Sequence, residues 1–134
     1  MTIEQVKEVL DAGTAGYFAT MNGEQLEVRG WQFQFAKGNK FYFGTANTKD
    51  VYKQMQANPQ VAFACTSNEY NVRISGKAIF VTDHEQKEEA FAKFSPAVQG
   101  MYKSASNPIF EIFYIESGEI KISKGFEPFE TIKF

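Results

Sequence analysis

Apolar positions along this chain recur at two different spacings, and the switches between them divide it into elements. Near the start, Ile3, Val6, Val9 and Leu10 fall on one helical face, which predicts a helix over residues 3–12 with Thr2 as its cap and Gly13 as its terminator. The period then shortens toward two. A short strand is expected at 16–20, a turn at Met21-Asn22-Gly23, a long strand at 26–36 and a turn at 37–40. Phe41–Thr45 follows as a strand that pairs back on its predecessor. A second helix is expected over 50–57, stopped by Asn58-Pro59. Residues 61–66 read as a strand apolar on both faces, 67–71 as a loop, and 72–81 as a long alternating strand. Thr82-Asp83-His84-Glu85 has the spacing of a capping box, opening a third helix that runs to about Phe94 and breaks at Ser95-Pro96. The stretch around Tyr102 reads as irregular. Residues 109–115 and 119–123 read as a closing hairpin about Glu116-Ser117-Gly118, and 124–134 take no assignment.

Six to seven strands joined mostly by hairpins, with three short helices, predict a mainly β (α+β) antiparallel barrel in one domain spanning residues 1–134. Strands and helices do not alternate regularly, which argues against a doubly wound parallel sheet.

Charge narrows the function classes. A net charge of -2 provides no basic field, so neither nucleic acid nor a membrane surface is an expected partner. Cys65 is the single cysteine, which excludes an intrachain disulfide and favours a cytoplasmic setting. It lies in the apolar run Val61–Cys65, where an inert buried thiol is expected. The first residues lack the basic and apolar blocks of a signal peptide, and no apolar run approaches the roughly 20 residues that span a bilayer. Aromatic residues make up 16% of the chain, more than a small core requires, so some are candidates for a planar-ligand site or a subunit interface.

The candidate chemistry gathers where the strand at 41–45 runs into the helix at 50–57. The first N–H groups of a helix lack internal partners and carry partial positive charge. Thr45, Asn47, Thr48 and Lys49 surround that end with hydroxyl, amide and ammonium groups, a set suited to a dianionic phosphate. The competing reading is a plain helix start, with Thr48 as N-cap and Lys49 as a solvated charge. Only two arginines occur. Alternation places Arg29 on a face with Trp31, Phe33 and Phe35, where its guanidinium needs an anion, a ring face or a carboxylate. Arg73 falls on the polar face of its strand with Ser75 and Lys77, either solvated or directed at a ligand. His84 is the one histidine, at a helix start, so no Ser-His-Asp set can form away from it. No metal-ligand spacing, P-loop or dinucleotide fingerprint is present. If a reaction occurs, a cofactor carries it.

Taken in order, Val28-Arg29-Gly30-Trp31-x-Phe33, Phe41-Tyr-Phe-Gly-Thr45-x-Asn47-Thr48-Lys49, Ala57-Asn58-Pro59, Val72-Arg73-Ile-Ser-Gly-Lys-Ala78 and Pro108–Phe113 resemble the pyridoxamine 5′-phosphate oxidase-like superfamily of FMN-binding split barrels. The resemblance covers about residues 3–123 and implies a Greek-key split barrel. It further implies a homodimer with FMN at the subunit interface and an oxidoreductase acting on a small planar substrate. Arg29, Gly30 and Trp31 would run past the flavin ring, Thr45 to Lys49 would hold the phosphate, and Arg73 would lie nearby. A flavin carrier or sensor, and a relative holding haem or a deazaflavin, are the alternatives. Two departures stand out. Counting back from Asn58-Pro59, the family's basic phosphate residues fall where Asp50 and Val51 stand, leaving Lys49 or Lys53 to supply the charge. The tail also lacks the arginine and histidine with which true pyridoxamine phosphate oxidases hold substrate.

Overall fold

A computed structural model describes residues 1–134. Helix α1 (Ile3–Val9) starts at Thr2, whose side chain accepts from the Gln5 N–H while the Gln5 side chain accepts from the Thr2 N–H. That reciprocal capping box satisfies two of the donors a helix start leaves open. Strands β1 (Ala15–Asn22), β2 (Gln25–Gln32), β3 (Phe35–Lys37) and β4 (Lys40–Ala46) follow. After α2 (Asp50–Ala57) come β5 (Gln60–Ser67) and β6 (Tyr70–Phe80). Helices α3 (His84–Phe91) and α4 (Pro96–Tyr102) precede a long strand β7 (Phe110–Lys124) and the short β8 (Glu130–Lys133).

All pairings are antiparallel, in the order β2-β1-β5-β6-β7-β4-β3 with β8 paired to β7. The two edge strands, β2 and β3, are consecutive in sequence. They are not hydrogen-bonded to each other, so the sheet curls without closing and Phe33-Gln34 bridges the split. This break divides the single strand expected over 26–36. The Phe33 N–H donates to Thr14 O, and the Gln34 N–H donates to Tyr42 O, so the bridge is tied to the start of β1 on one side and to β4 on the other.

The concave face holds the main core, with Phe18, Phe41, Phe43, Phe63, Phe113 and Ile74 all fully buried. Across the sheet, Phe110, Ile112, Phe94 and Tyr102 form a second cluster beneath α3 and α4. Alternation assigns Phe41 and Phe43 to one face and Gly44 and Ala46 to the other, so one strand serves both clusters. The mainly antiparallel barrel stands as expected, with one strand and one helix beyond the expected numbers.

Three local differences have physical causes. Glu116-Ser117-Gly118 is not a hairpin turn but a bulge inside β7, where Ser117 and Gly118 together face the single Gly76. A β-carbon on Gly118 would collide with the Ser75 carbonyl, so the crossing requires glycine. The loop expected at 67–71 is a two-residue turn, with Asn68 and Glu69 both at positive φ as a primed hairpin turn demands. Asp83, rather than Thr82, caps α3 by accepting from the Gln86 N–H.

Candidate functional site

Two clefts open side by side where β2 meets the start of α2. The first, about 670 Å³, lies between Gly16 and Tyr17 of β1, Trp31 of β2, and Val98, Met101 and Tyr102 of α4. The second, about 510 Å³, lies between Glu27–Arg29 and the first turn of α2. Gly30, Trp31 and Lys49 line both, so these residues form the junction.

Trp31 is fixed from behind by Phe18, stacked at 5.1 Å and 20°. The Lys49 Nζ stands 5.8 Å from the Trp31 ring centroid. A β-carbon added to Gly30 would meet nothing within 4 Å, which leaves this stretch of backbone open to an approaching group. Lys49 is the N-cap of α2 and makes no side-chain capping bond. The other three helices are each capped by a side chain, from Thr2, Asp83 and Ser95. The first-turn N–H groups of α2 therefore face the junction without a side-chain acceptor, beneath a free ammonium. Thr48, the alternative cap, is exposed and makes no such bond.

Arg29 is committed to the protein. Its Nη1 donates to Phe18 O at 3.2 Å and Thr20 Oγ1 at 2.7 Å, and its Nη2 donates to Gln54 Oε1 at 3.2 Å. Thr20 donates to the same Gln54 oxygen at 2.6 Å, and the Gln54 amide donates to Glu27 Oε2 at 2.8 Å. The network stitches β1, β2 and α2 together. Burial lowers the guanidinium pKa and the charge of Glu27 acts against that shift. The partner that alternation demanded for Arg29 is thus a polar cluster rather than a ring face.

The remaining predicted residues separate. Asn47 donates its side-chain amide to Pro108 O at 2.9 Å and its N–H to Ile109 O at 2.8 Å, so it holds the turn in place. Thr45 lines neither cleft, and its buried hydroxyl has no hydrogen-bond partner. Lys53 is exposed on α2 and also lines neither cleft. Of the two positions where the family carries basic groups, Asp50 is exposed at the second cleft and Val51 is buried in the main core. Arg73 lines neither of these clefts but a third one that shares Ala15, Gly16 and Tyr17 with the first, and its guanidinium carbon lies 4.2 Å from the Phe129 ring. Cys65 is partly buried, and burial pushes its thiol up to about 11. His84 is paired with Glu88 at 3.0 Å on the outside of α3.

The α4 wall was not anticipated. Its signal was present in Ser95-Pro96, because serine at N-cap with proline at N1 starts a helix as readily as the pair ends one. Gln34 is a second omission. Buried at the split, it accepts from the Ser95 N–H at 2.8 Å and so anchors α4 at the mouth of the first cleft.

The family profile described as pyridoxamine 5′-phosphate oxidase matches residues 2–123, and the chain belongs to that family. It is similar to a NimC/NimA family protein from Clostridium acetobutylicum, with 30% identity and a TM-score of 0.84 over 98% of this chain and 93% of that one. A pyridoxamine 5′-phosphate oxidase-related, FMN-binding protein from Nostoc punctiforme shares the fold at 14% identity and TM-score 0.69, covering 88% of this chain and 78% of that one. A haem-binding protein from Mycobacterium smegmatis does so at 13% identity and TM-score 0.74, covering 91% of this chain and 53% of that one. Comparison with curated proteins gave no match.

Proposed function

We propose that the joined clefts bind FMN and that the protein is a flavin-dependent oxidoreductase acting on a small planar compound. The observation that carries this reading is the α2 start, which alone lacks a side-chain cap and lies under Lys49 at the junction of the clefts. A phosphate there would accept from the first-turn N–H groups and from Lys49, while Gly30 and Trp31 would flank the flavin ring. Lys49 is the one lysine at the junction, and Asp50 beside it sets a limit on the attraction. FMN when bound supplies hydride and single-electron chemistry. The chain's own contribution is to orient the ring against fixed Trp31 and to keep water out with Val98, Met101 and Tyr102. Burial raises the pKa of Tyr102, so this phenol of the first cleft is not a base near neutrality.

The tail forms β8 and carries neither arginine nor histidine. A second copy would complete the site, since Tyr17, Leu26 and Val28 are 65%, 69% and 63% exposed on one face of β1 and β2. The single thiol and the lack of any helix long and apolar enough to cross a membrane agree with a cytoplasmic setting. Haem is the second reading, favoured by Tyr17, Met101 and Tyr102 lining the first cleft, whose phenol and thioether groups would be the ones to hold its iron.

The test is absorbance after incubation with FMN or haemin and desalting. Retained paired flavin bands are expected, with FMN affinity reduced about 10- to 100-fold in Lys49→Ala and unchanged in Lys53→Ala, as loss of charge-assisted hydrogen bonds implies. A retained Soret band with no flavin would support haem instead. Equal FMN binding by Lys49→Ala would remove the phosphate assignment.

A further inference from the structure

A further cleft lies between the β3–β4 hairpin and α3, with a volume of about 430 Å³. Its floor is a row of rings set by strand register. Phe35 of β3 is opposite Tyr42 of β4, and Tyr42 is opposite Tyr114 of β7. Phe35 and Tyr42 stack face to face at 4.3 Å and 6°, and Tyr42 and Tyr114 lie 5.3 Å apart. Three ammonium groups stand at its rim: Lys37 and Lys40 from the hairpin, and Lys93 from the chain after α3.

The charges are arranged against the protein's own stability. Lys37 and Lys40 are directly opposed across β3 and β4, where like charges repel. None of the molecule's ion pairs involves Lys37, Lys40 or Lys93; these pairs join Met1 to Glu130, Lys7 to Glu4, His84 to Glu88 and Lys121 to Glu119. Glu89 is the single carboxylate lining the cleft, so the lining is net cationic. Two of the three ammonium groups lie over the rings instead, Lys40 Nζ 4.7 Å from the Tyr114 centroid and Lys93 Nζ 5.5 Å from that of Phe35. Phe94, T-shaped against Phe35 and packed on Gly44, stands between this cleft and the one at Trp31.

An apolar row of packed rings rimmed by cations is complementary to a planar aromatic acid, whose ring would pack against the row while its carboxylate meets the ammonium groups. We propose that this cleft is a second ligand site, separate from the Trp31 junction, for a fused-ring aromatic carboxylate. It shares no lining residue with the proposed flavin site, so the two readings stand or fall separately.

The probe is 2-naphthoate, titrated into the full chain and followed by amide chemical shifts. Saturable shifts are expected at Lys37–Tyr42, Glu89–Lys93 and Tyr114. The uncharged 2-naphthamide should bind at least tenfold more weakly, as should 2-naphthoate to a Lys40→Gln, Lys93→Gln double variant. A second measurement needs no ligand: Lys37→Gln should raise the thermal midpoint of the free protein by removing the opposed charge. Shifts confined to Trp31 and Lys49, equal binding of the amide, or a double variant with unchanged affinity would overturn the proposal. So would a lowered midpoint in Lys37→Gln, which would make the lysines structural.

Discussion

Thr45 and Lys49 lie on either side of one turn and end in opposite environments. Both were legible as polar residues at a helix start, but alternation along β4 sends Thr45 inward with Phe41 and Phe43, while Lys49 stays exposed at the cleft junction. A buried hydroxyl without a partner carries a desolvation penalty of roughly 1–3 kcal/mol. Thr45→Val should therefore raise urea-unfolding stability by about that amount and leave FMN retention unchanged. A destabilised variant would reveal a partner for the hydroxyl. Cys65 illustrates the same scale. Burial lifts its thiol from an ordinary 9.0 to about 11, so the folded chain holds that proton more tightly than the unfolded one. Its contribution to stability is complete below pH 9 and declines as pH rises toward 11. Iodoacetamide should modify the folded protein slowly near neutrality and faster as pH approaches 11; rapid modification at pH 7.5 would contradict an inert thiol.

Among the elements, α4 and the β7 bulge show where local signals are ambiguous. Ser95-Pro96 has one local chemistry and two structural uses, as the end of one helix or the start of the next. Packing of Tyr102 and Val98 against the second core cluster selects the start. Ser117-Gly118 has the composition of a turn, yet pairing on both sides with β6 makes it a bulge in a continuous strand. Helix α2 and strands β1, β4, β5 and β6 were legible because their periodicity or flanking punctuation admitted one reading. The seat of α4 depends on β4, since a β-carbon on Gly44 would fall 2.7 Å from Phe94 Cε2. Gly44→Ala should lower stability by roughly 1–3 kcal/mol, measured by thermal unfolding, because Phe94 is wedged between Phe35 and Phe110 and has little room to yield. An unchanged midpoint would show that the ring relaxes freely.

For the whole molecule, the decisive feature is the exposed apolar face of β1 and β2. Register places Tyr17 opposite Gly30, Ala19 opposite Val28 and Met21 opposite Leu26, so these pairs share one side of the sheet beside the first cleft. A patch of this kind marks an interaction surface, and the proposed second copy would cover it. Val28→Glu should convert a dimer to a monomer in sedimentation and weaken FMN retention together, since the cleft would lose its cover. A parent chain sedimenting at 15.2 kDa would exclude the dimer.

By itself, the amino-acid order determined the periodicity of most elements, the mainly antiparallel class, the absence of a basic field, and the concentration of phosphate-suited groups between β4 and α2. These properties depend on near neighbours in the chain, and near neighbours are what a sequence displays. Only the tertiary structure decided that Arg29 bonds to Thr20 and Gln54, that Thr45 is sealed away, and that α4 walls the cleft. It also decided that Phe35, Tyr42 and Tyr114 line up beneath three lysines. Each of those outcomes depends on which strands become neighbours, and strand register, unlike periodicity, is set by contacts between residues far apart in the chain.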